Sequence, residues 1–342
     1  MKVTIKTVAA HAGVSIPTVS RVLNSPDLVN PETRIKVLDA VAALDYYPNG
    51  HARGLRLQHA TAVGVMVPKL DDFFFSRLYR GIYDTALKHG LTVLLYDAQS
   101  DPQRIVGGFS TLKRQQSSGI IFCSATFPAH YSTLTARLGI PVVLALTESE
   151  QHDIPAFKVD DVRAAFDAVA YLITRGHRSI GVIAGPLRDP GAGPERFQGY
   201  KLALSHYQLP FSDEHVAFGA FRYEHGYAAM TELLLHRANT HITAVFAASD
   251  EMAIGAMRCI HDHGLQVPDD ISVIGYDDVV IANMITPKLT TIAQPLEEIG
   301  RMAVHSLVAA ISEGQLPDSK THYMAHSLVP RESVKSLPYD TS

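Results

Sequence analysis

The segment with the clearest chemistry in this chain lies close to the N-terminus, at residues 12–24. Gly13 permits a sharp turn, Ser15 is a typical helix N-cap, and Pro17 suits the first turn of a helix, where a missing N–H costs little. Arg21 follows on the outer face, and its guanidinium can donate two hydrogen bonds to O6 and N7 of guanine. The pattern predicts the turn and second helix of a helix-turn-helix, with that helix in the DNA major groove.

Two more helices are predicted around this turn, and together they make a small three-helix head. The first spans residues 4–12, and the third begins at Pro31 behind the N-cap Asn30. The apolar positions predicted for the third helix are Ile35, Leu38, Val41 and Ala42. An isolated turn of this kind is equally compatible with an ordinary two-helix corner, but the third helix and the motifs that follow favour a DNA-binding head.

The charge distribution separates the head from the rest of the chain. The whole sequence has a formal net charge of −4. Residues 1–60 carry seven Lys and Arg against four Asp and Glu, whereas the remaining residues carry 23 against 30. We expect such a basic head on an acidic body when only the head contacts DNA phosphates.

From about residue 61 the sequence alternates between short apolar runs and amphipathic segments. The first series includes predicted strands at 62–67 and 91–96, and a second series runs from a predicted helix at 161–175 to a predicted strand at 271–275. Continuously apolar strands are typical of parallel sheets covered on both faces. The two series predict two doubly wound α/β subdomains, with a ligand in the cleft beyond the carboxyl ends of their strands.

Short motifs recur in a fixed order along nearly the whole chain. In the first half they are Val67-Pro68 before Phe74-Phe75, Asp101-Pro102 and Gly119-Ile120-Ile121. In the second half they are Gly176-His177-Arg178, Gly185-Pro186, Arg196-Phe197-x-Gly199-Tyr200, Ser249-Asp250-x-Met252-Ala253, residues 270–278 and residues 289–292. Together with residues 5–24, Tyr46-x-Pro48-Asn49 and Ala52-x-x-Leu55, this order resembles the lactose/galactose repressor (LacI/GalR) family of bacterial transcription factors.

The resemblance implies an all-α helix-turn-helix domain at residues 1–48, a hinge helix or linker at 49–60, and a periplasmic-binding-protein-like domain for effector binding and dimerisation at 61–335. Within that domain we expect a first subdomain at 61–158 plus 290–318 and a second at 159–289 plus 319–335. The C-terminal tail lacks the leucine heptads with which some family members form tetramers, so a homodimer is expected.

The expected DNA contacts lie in the head and the hinge. The resemblance implies that paired hinges fold on DNA and insert Leu55 into the minor groove. Ile16 and Pro17 offer only apolar contact, for example to a thymine methyl. The complete expected set is Thr4, Ile5, Ser15, Ile16, Pro17, Thr18, Ser20, Arg21, Asn24, Thr33, Tyr46, Asn49, Ala52 and Leu55.

The expected effector contacts lie beyond the predicted strands. Asp250 and Asp277 each follow a strand and suit sugar hydroxyls, although the alternative for Asp250 is the N-cap of the next helix. Arg196 opens a helix, where a cation opposes the helix dipole, and the family's matching arginine binds the effector. Phe221 either stacks on an apolar ring face or packs in the core. The complete expected set is Asp72, Phe74, Ser124, Arg196, Phe221, Asp250, Asp277 and Gln294.

The expected effector is neutral and rich in hydroxyl groups: a sugar, a polyol or a nucleoside. Asp72 and Phe73 stand where the family usually shows Asn-Pro, and an additional acid there argues against an anionic compound.

Other classes of protein find little support. The sequence contains no G-x-G-x-x-G, P-loop or G-x-S-x-G motif. Cys259, His261 and His263 are metal-ligand types, but residues two apart on a helix do not face each other. We therefore expect no enzyme activity, no cofactor and no metal. Two cysteines in apolar surroundings, no signal peptide and no long apolar run predict a cytoplasmic protein without a membrane span.

The expected function is a sequence-specific DNA-binding regulator, a repressor of carbohydrate or related catabolic genes. It would bind a pseudo-palindromic operator as a dimer, under the control of an effector in the cleft. Two alternatives stay open: a cytosolic sugar-binding protein without a specific operator, and an enzyme that acts on a sugar in the cleft.

Overall fold

This computed structural model describes residues 3–46, 62–70, 73–123, 126–188, 191–313 and 319–338. The chain divides into two compact units, residues 1–60 and residues 61–342. The predicted hinge at 49–60 lies outside the described residues. None of the helices within the described ranges combines the length and hydropathy needed to span a bilayer.

The smaller unit is a three-helix head. Its helices are α1 (Ile5–Ala12), α2 (Ile16–Asn24) and α3 (Pro31–Ala43), with a short 3-10 helix at Pro26–Leu28. Each helix begins at a side chain whose oxygen accepts a backbone N–H of the first turn, and these caps are Thr4, Ser15 and Asn30. Gly13 ends α1 with φ 66°, a left-handed conformation that lets the chain turn sharply into α2.

The apolar face predicted for α3 is partly wrong. Ile35 and Leu38 are 59% and 44% exposed, whereas Val37 and Ala40 are buried in the head core. Residues 37, 40, 41 and 44 also follow helical spacing, so α3 offers two apolar rows. Contact with α1 and α2 selects between them, and spacing alone does not contain that information.

Strands and helices alternate along the larger unit. The strands are β1 (Ala62–Val67), β2 (Thr92–Asp97), β3 (Ile120–Phe122), β4 (Val142–Ala145), β5 (Ala156–Val159), β6 (Ile180–Ala184), β7 (Val216–Phe218), β8 (Ala244–Ala247), β9 (Ser272–Asp277), β10 (Thr290–Ala293), β11 (Thr321–Met324) and β12 (Ser327–Val329). The helices are α4 (Phe73–Lys88), α5 (Pro102–Arg114), α6 (Ala129–Leu138), α7 (Asp161–Thr174), α8 (Ala192–His206), α9 (Tyr223–Leu235), α10 (Arg237–Thr240), α11 (Asp250–Asp262) and α12 (Leu296–Glu313).

Within the described residues the strands form two sheets, which define a first and a second subdomain. The first sheet has the order β11-β5-β4-β3-β1-β2, and its neighbouring strands are parallel. The second has the order β12-β10-β9-β8-β6-β7, in which β12 runs antiparallel to β10. Strands β1, β6 and β9 are buried along their whole length, as expected of sheets covered on both faces. The predicted fold class, a helical head followed by two doubly wound subdomains, is confirmed.

The described chain crosses between the subdomains where β5 leads into α7, where β10 leads into α12, and where β11 leads into β12. The predicted subdomain boundaries are wrong at the last two crossings. Residues 290–293 form a strand of the second sheet, and residues 321–324 form a strand of the first. Periodicity identifies a short strand, but the sheet that it joins depends on pairing with residues far away in the sequence.

Helix α4 packs closely against α12, the helix with which the chain re-enters the first subdomain. A Cβ atom at Gly81 would collide with the backbone carbonyl of Glu297, and one at Gly300 would collide with that of Leu78. Two glycines that face the backbone of the other helix therefore allow the two helix axes to approach closely.

Gly81→Ala is expected to lower the free energy of unfolding by about 1–3 kcal/mol, because the backbone of Glu297 must shift to admit the methyl group. Gly107→Ala is the matched control, since Gly107 lies on the exposed side of α5 with no atom within 4 Å of its Cβ position. That substitution should raise the free energy of unfolding by up to about 1 kcal/mol. Urea unfolding followed by circular dichroism compares the proteins, and equal stability of the two variants would contradict the packing argument.

Candidate functional site

The outer face of α2 presents Pro17, Ser20 and Arg21 in one row. These residues are three and four positions apart, which places them on the same side of a helix. Pro17 and Arg21 are exposed, and Ser20 is half-buried. No ion pair involves Arg21 within the described residues, so its donors are available to a base or a phosphate.

Two of the hydroxyl groups predicted to contact DNA hold helix ends. Ser15 Oγ accepts the backbone N–H of Thr18 (3.3 Å) and lies 2.8 Å from Thr18 Oγ1. Thr4 and Thr7 form the corresponding reciprocal pair at the start of α1. Ile5, Ile16 and Tyr46 pack against the head core, and Thr33 is half-buried. The DNA contacts of these residues stay predictions, and Asn49, Ala52, Leu55 and the side chain of Asn24 lie outside the described part of the chain.

The centre of the candidate ligand site is the buried guanidinium of Arg196, in the first turns of α8. Its Nε donates to Oδ1 of Asp161 (2.7 Å), and its Nη1 donates to the carbonyl of Ala248 (2.6 Å). Oδ1 of Asp277 lies 3.5 Å from the same Nη1. The ring of Tyr276 lies 3.7 Å from the guanidinium carbon, and the Tyr276 hydroxyl donates to Oδ1 of Asp161 (2.9 Å). These groups come from the carboxyl ends of β5, β8 and β9, where doubly wound sheets bind ligands.

The acidic neighbours of Arg196 stabilise its positive charge. Burial alone would lower the pKa of the guanidinium, but Asp161, Tyr276 and Asp277 outweigh burial and raise that pKa above its ordinary value. Burial also raises the pKa of the Tyr276 phenol, which therefore keeps its proton and donates it. The site thus contains a permanent cation beside two carboxylates.

Asp277 has a strained backbone conformation and a side chain that accepts a hydrogen bond. Gln294, which follows β10, donates from Nε2 to Oδ1 of Asp277 (2.8 Å). Asp277 (φ 121°), Asp278 (φ 57°) and Phe221 (φ 61°) all have positive φ values. Each such conformation costs a non-glycine residue on the order of 1–3 kcal/mol and persists where the surroundings enforce it. Such strain is common at functional sites, and we therefore treat this cluster as the candidate site.

Asp250 is hydrogen-bonded to the loop that follows Asp277. It is fully buried, its Oδ1 accepts from the hydroxyl of Thr291 (2.5 Å), and its Oδ2 accepts from the backbone N–H of Val279 (2.8 Å). The alternative role as a helix N-cap is wrong, because Ser249 caps α11 by accepting the N–H of Met252 (3.2 Å). In the structure Asp250 fastens the loop after β9 to β10, and its contact with an effector stays a prediction.

The two predicted aromatic residues belong to different subdomains. Phe221 is half-buried, with its ring centroid 5.8 Å from the guanidinium carbon of Arg196. Phe74, on α4, is half-buried and forms an edge-to-face pair with Phe75 (5.1 Å between centroids). Asp72 and Ser124 lie outside the described residues.

Two residues of this region escaped the sequence reasoning. Asp161 carries a signal, an acid two positions after the end of β5, but its partner Arg196 is 35 positions away. Arg77, on α4, has no local signal. Its Nη1 donates to the carbonyl of Asp278 (3.3 Å) and lies 3.8 Å from Oδ2 of that residue, whose Oδ1 accepts from Arg331 (2.6 Å). Arg77 therefore joins the first subdomain to the strained loop of the second.

A separate groove of about 800 Å³ lies on the second subdomain beside α11, lined by residues that include Met257, His261 and Ile285. None of the predicted ligand residues lines it. At the Arg196 cluster, by contrast, several polar side chains meet and carboxylates balance the charge of the guanidinium. We therefore place the candidate ligand site there.

Comparison with known proteins assigns both units of the chain. Residues 4–49 match the family described as bacterial regulatory proteins, lacI family, and residues 169–334 match a periplasmic binding protein-like domain. Catabolite control protein A of Priestia megaterium is 35% identical over 335 residues, which cover 98% of this chain and 100% of that protein. The chain belongs to the lacI family of bacterial regulatory proteins.

Solved structures of similar proteins agree with this assignment. A lac repressor dimer bound to operator and the anti-inducer ONPF has a TM-score of 0.87 and 29% identity, covering 98% of this chain and 100% of that one. A complex of the transcriptional regulator CelR with cellobiose has a TM-score of 0.73 and 31% identity, covering 97% and 100%. The predicted family and the predicted class of function are confirmed: this lacI-family chain is a DNA-binding transcriptional regulator and, like these relatives, not an enzyme.

The contribution of Asp250 to the stability of this lacI-family regulator is expected to fall as the pH rises. Burial raises the pKa of Asp250 to about 7, from an ordinary value of 3.8. Between those values the folded chain holds a proton that the unfolded chain has released, so the contribution is present at low pH and is lost as the pH rises through the folded pKa. From about pH 5 to about pH 8 we expect this group to remove about 2 kcal/mol from the free energy of unfolding.

In Asp250→Asn the free energy of unfolding should lack this pH-dependent contribution. The amide oxygen of the variant side chain can still accept from Val279, and its amide nitrogen can donate to the hydroxyl of Thr291. Urea unfolding at both pH values measures the difference, with Asp84→Asn, an exposed carboxylate on α4, as the control. A wild-type pH dependence in Asp250→Asn would show that another group is responsible.

Proposed function

We propose that this regulator is cytoplasmic, binds a pseudo-palindromic operator as a homodimer, and responds to a small neutral compound bound at the Arg196 cluster. The lac repressor neighbour is a dimer bound to operator, and the CelR neighbour is in complex with a sugar. A two-fold symmetric protein matches a palindromic DNA site. We infer that operator binding represses carbohydrate or related catabolic genes.

The observation that supports ligand binding most strongly is the cluster of Arg196, Asp161 and Asp277. Buried ions are expensive unless they are paired, and apolar side chains would fill the same space at lower cost. The first turns of a helix also disfavour a cation, because the positive end of the helix dipole lies there. A ligand that uses the guanidinium and the carboxylates accounts for their position at the carboxyl ends of the strands.

The charges of this cluster favour a neutral ligand. Asp161 and Asp277 already compensate Arg196, so an anionic compound would meet a carboxylate beside the cation that it needs. A hydroxyl group can donate to a carboxylate and accept from a guanidinium at once. Phe221 supplies a ring for the apolar face of a sugar or a nucleobase. A sugar, a polyol or a nucleoside fits these requirements.

Control of DNA binding requires that ligand binding change the relation between the subdomains. The contact of Arg77 with Asp278 holds one arrangement of the first subdomain against the loop that carries Asp277. We infer that a ligand beside Asp277 changes the stability of this arrangement, and that the hinge at residues 49–60 transmits the change to the head.

Selection of genomic fragments by the purified full-length protein, followed by sequencing, tests the proposal. The selection is repeated with neutral sugars, polyols and nucleosides, and with sugar phosphates. We expect one enriched pseudo-palindromic sequence whose recovery changes with one neutral compound. A response to sugar phosphates alone would contradict a neutral ligand, and the absence of any enriched sequence would contradict the operator.

Arg21→Ala is expected to weaken binding to the selected operator by about 1–3 kcal/mol and to relax the base preference at one position in each half-site. Competition binding with operators that vary at each position measures both effects. Lys36→Ala, which removes an exposed charge from α3, is the control and should leave every base preference intact. Equal weakening of Arg21→Ala on all sequences would remove Arg21 as a base reader.

Asp277→Asn is expected to weaken binding of the responding compound roughly tenfold to hundredfold, the effect of removing a charged hydrogen-bond acceptor. Operator affinity without the compound should stay at the wild-type value. Isothermal titration calorimetry measures the compound, with Asp262→Asn, on the exposed side of α11, as the control. Wild-type affinity in Asp277→Asn would contradict a ligand site at this residue.

A further inference from the structure

Lys158 is a second buried cation beside the candidate ligand site. It lies on β5, the strand that ends at the first crossing between subdomains, and its side chain is 4% exposed. Its Nζ donates to Oε2 of Glu195 (2.7 Å) and lies 3.8 Å from Oδ2 of Asp161. Lysine is almost never buried to this extent without specific partners, so the position requires an explanation beyond packing.

Lys158 and Arg196 share one carboxylate. Oδ1 of Asp161 accepts from Arg196 and from the hydroxyl of Tyr276, whereas Oδ2 of the same carboxylate faces Lys158. The two cations therefore approach Asp161 through different oxygens. Any movement of this carboxylate changes the place at which Nε of Arg196 is held.

The groups that face Lys158 come from four elements. They are Asp161 on α7, Glu195 on α8, Glu148 after β4, and Tyr323 opposite Lys158 on β11. Burial alone would lower the pKa of Lys158, but Asp161 and Glu195 outweigh burial and raise it. Burial raises the pKa of Glu195 against the effect of Lys158, so Lys158 is the more firmly charged member of that pair.

We propose that Lys158 is a positioning residue for Arg196. Its ammonium group holds the Asp161 carboxylate against the guanidinium, and its bond to Glu195 attaches α8, the helix that carries Arg196, to the last strand before the crossing. The inference rests on the proposed role of Arg196 in ligand binding. Without Lys158, the carboxylates of Asp161 and Glu195 would have no ammonium group between them, and one of the two would take up a proton as the pH falls.

The test follows the Nε–Hε resonance of Arg196 in the full-length, ¹⁵N-labelled protein, assigned by its loss in Arg196→Lys. In the wild type we expect one position at about pH 8 and at about pH 6, because a charge-assisted bond between fixed ions does not titrate in this range. In Lys158→Met we expect the resonance to shift between these pH values. Lys158→Arg should restore the wild-type behaviour. Lys201→Met is the control, because Lys201 is an exposed lysine on α8, the helix that carries Arg196, and the Arg196 resonance of that variant should keep one position at both pH values.

A folded Lys158→Met protein whose Arg196 resonance matches the wild type at both pH values overturns the proposal. If Lys158→Met does not fold, Glu195→Gln decides, because the Glu195 side chain is 24% exposed and tolerates the change. With Glu195 neutral, Lys158 has Asp161 as its nearest acid, and we expect a displaced Arg196 resonance. An unchanged resonance overturns the proposal. No ligand is added, so the result does not depend on the proposed function.

Discussion

A guanidinium buried at the carboxyl ends of parallel strands is the interaction on which the proposed ligand site depends. Arginine does not lose its proton inside a protein, so a buried guanidinium must be paired with nearby carboxylates. Asp161 provides one from the start of α7, and Asp277 provides the other from the end of β9. The strained backbone at Asp277 and the amide of Gln294 follow from holding that second carboxylate in place.

The segments that connect the subdomains also contribute residues to the candidate ligand site. Asp161 lies just after the crossing from β5 to α7, and Gln294 lies on the crossing from β10 to α12. A change in the hydrogen bonds of either residue therefore acts on a segment that connects the two subdomains. This arrangement is the physical route by which we propose that ligand binding changes the conformation of the larger unit.

The features that the sequence predicts correctly are those that depend on local signals. Gly13, Ser15 and Asn30 mark helix ends through their own backbone and side-chain chemistry, and buried parallel strands reveal themselves as apolar runs. Arg196, Asp277 and Gln294 were expected at the ligand site, and the structure brings them together through an ion pair between Arg196 and Asp277 and a hydrogen bond from Gln294 to Asp277. Other features depend on partners far away in the sequence, about which spacing carries no information. These are the exposed row of α3, the sheet that β10 joins, and the roles of Asp161, Lys158 and Arg77.

Hydrogen–deuterium exchange of the full-length protein, with and without the compound that alters operator recovery, tests the central claim most directly. The account predicts slower exchange at the residues around Arg196 and in the loop after β9, because a bound ligand stabilises the segments that it contacts. Protection confined to the groove beside α11, with no change around Arg196 or Asp277, would contradict the assignment of the ligand site.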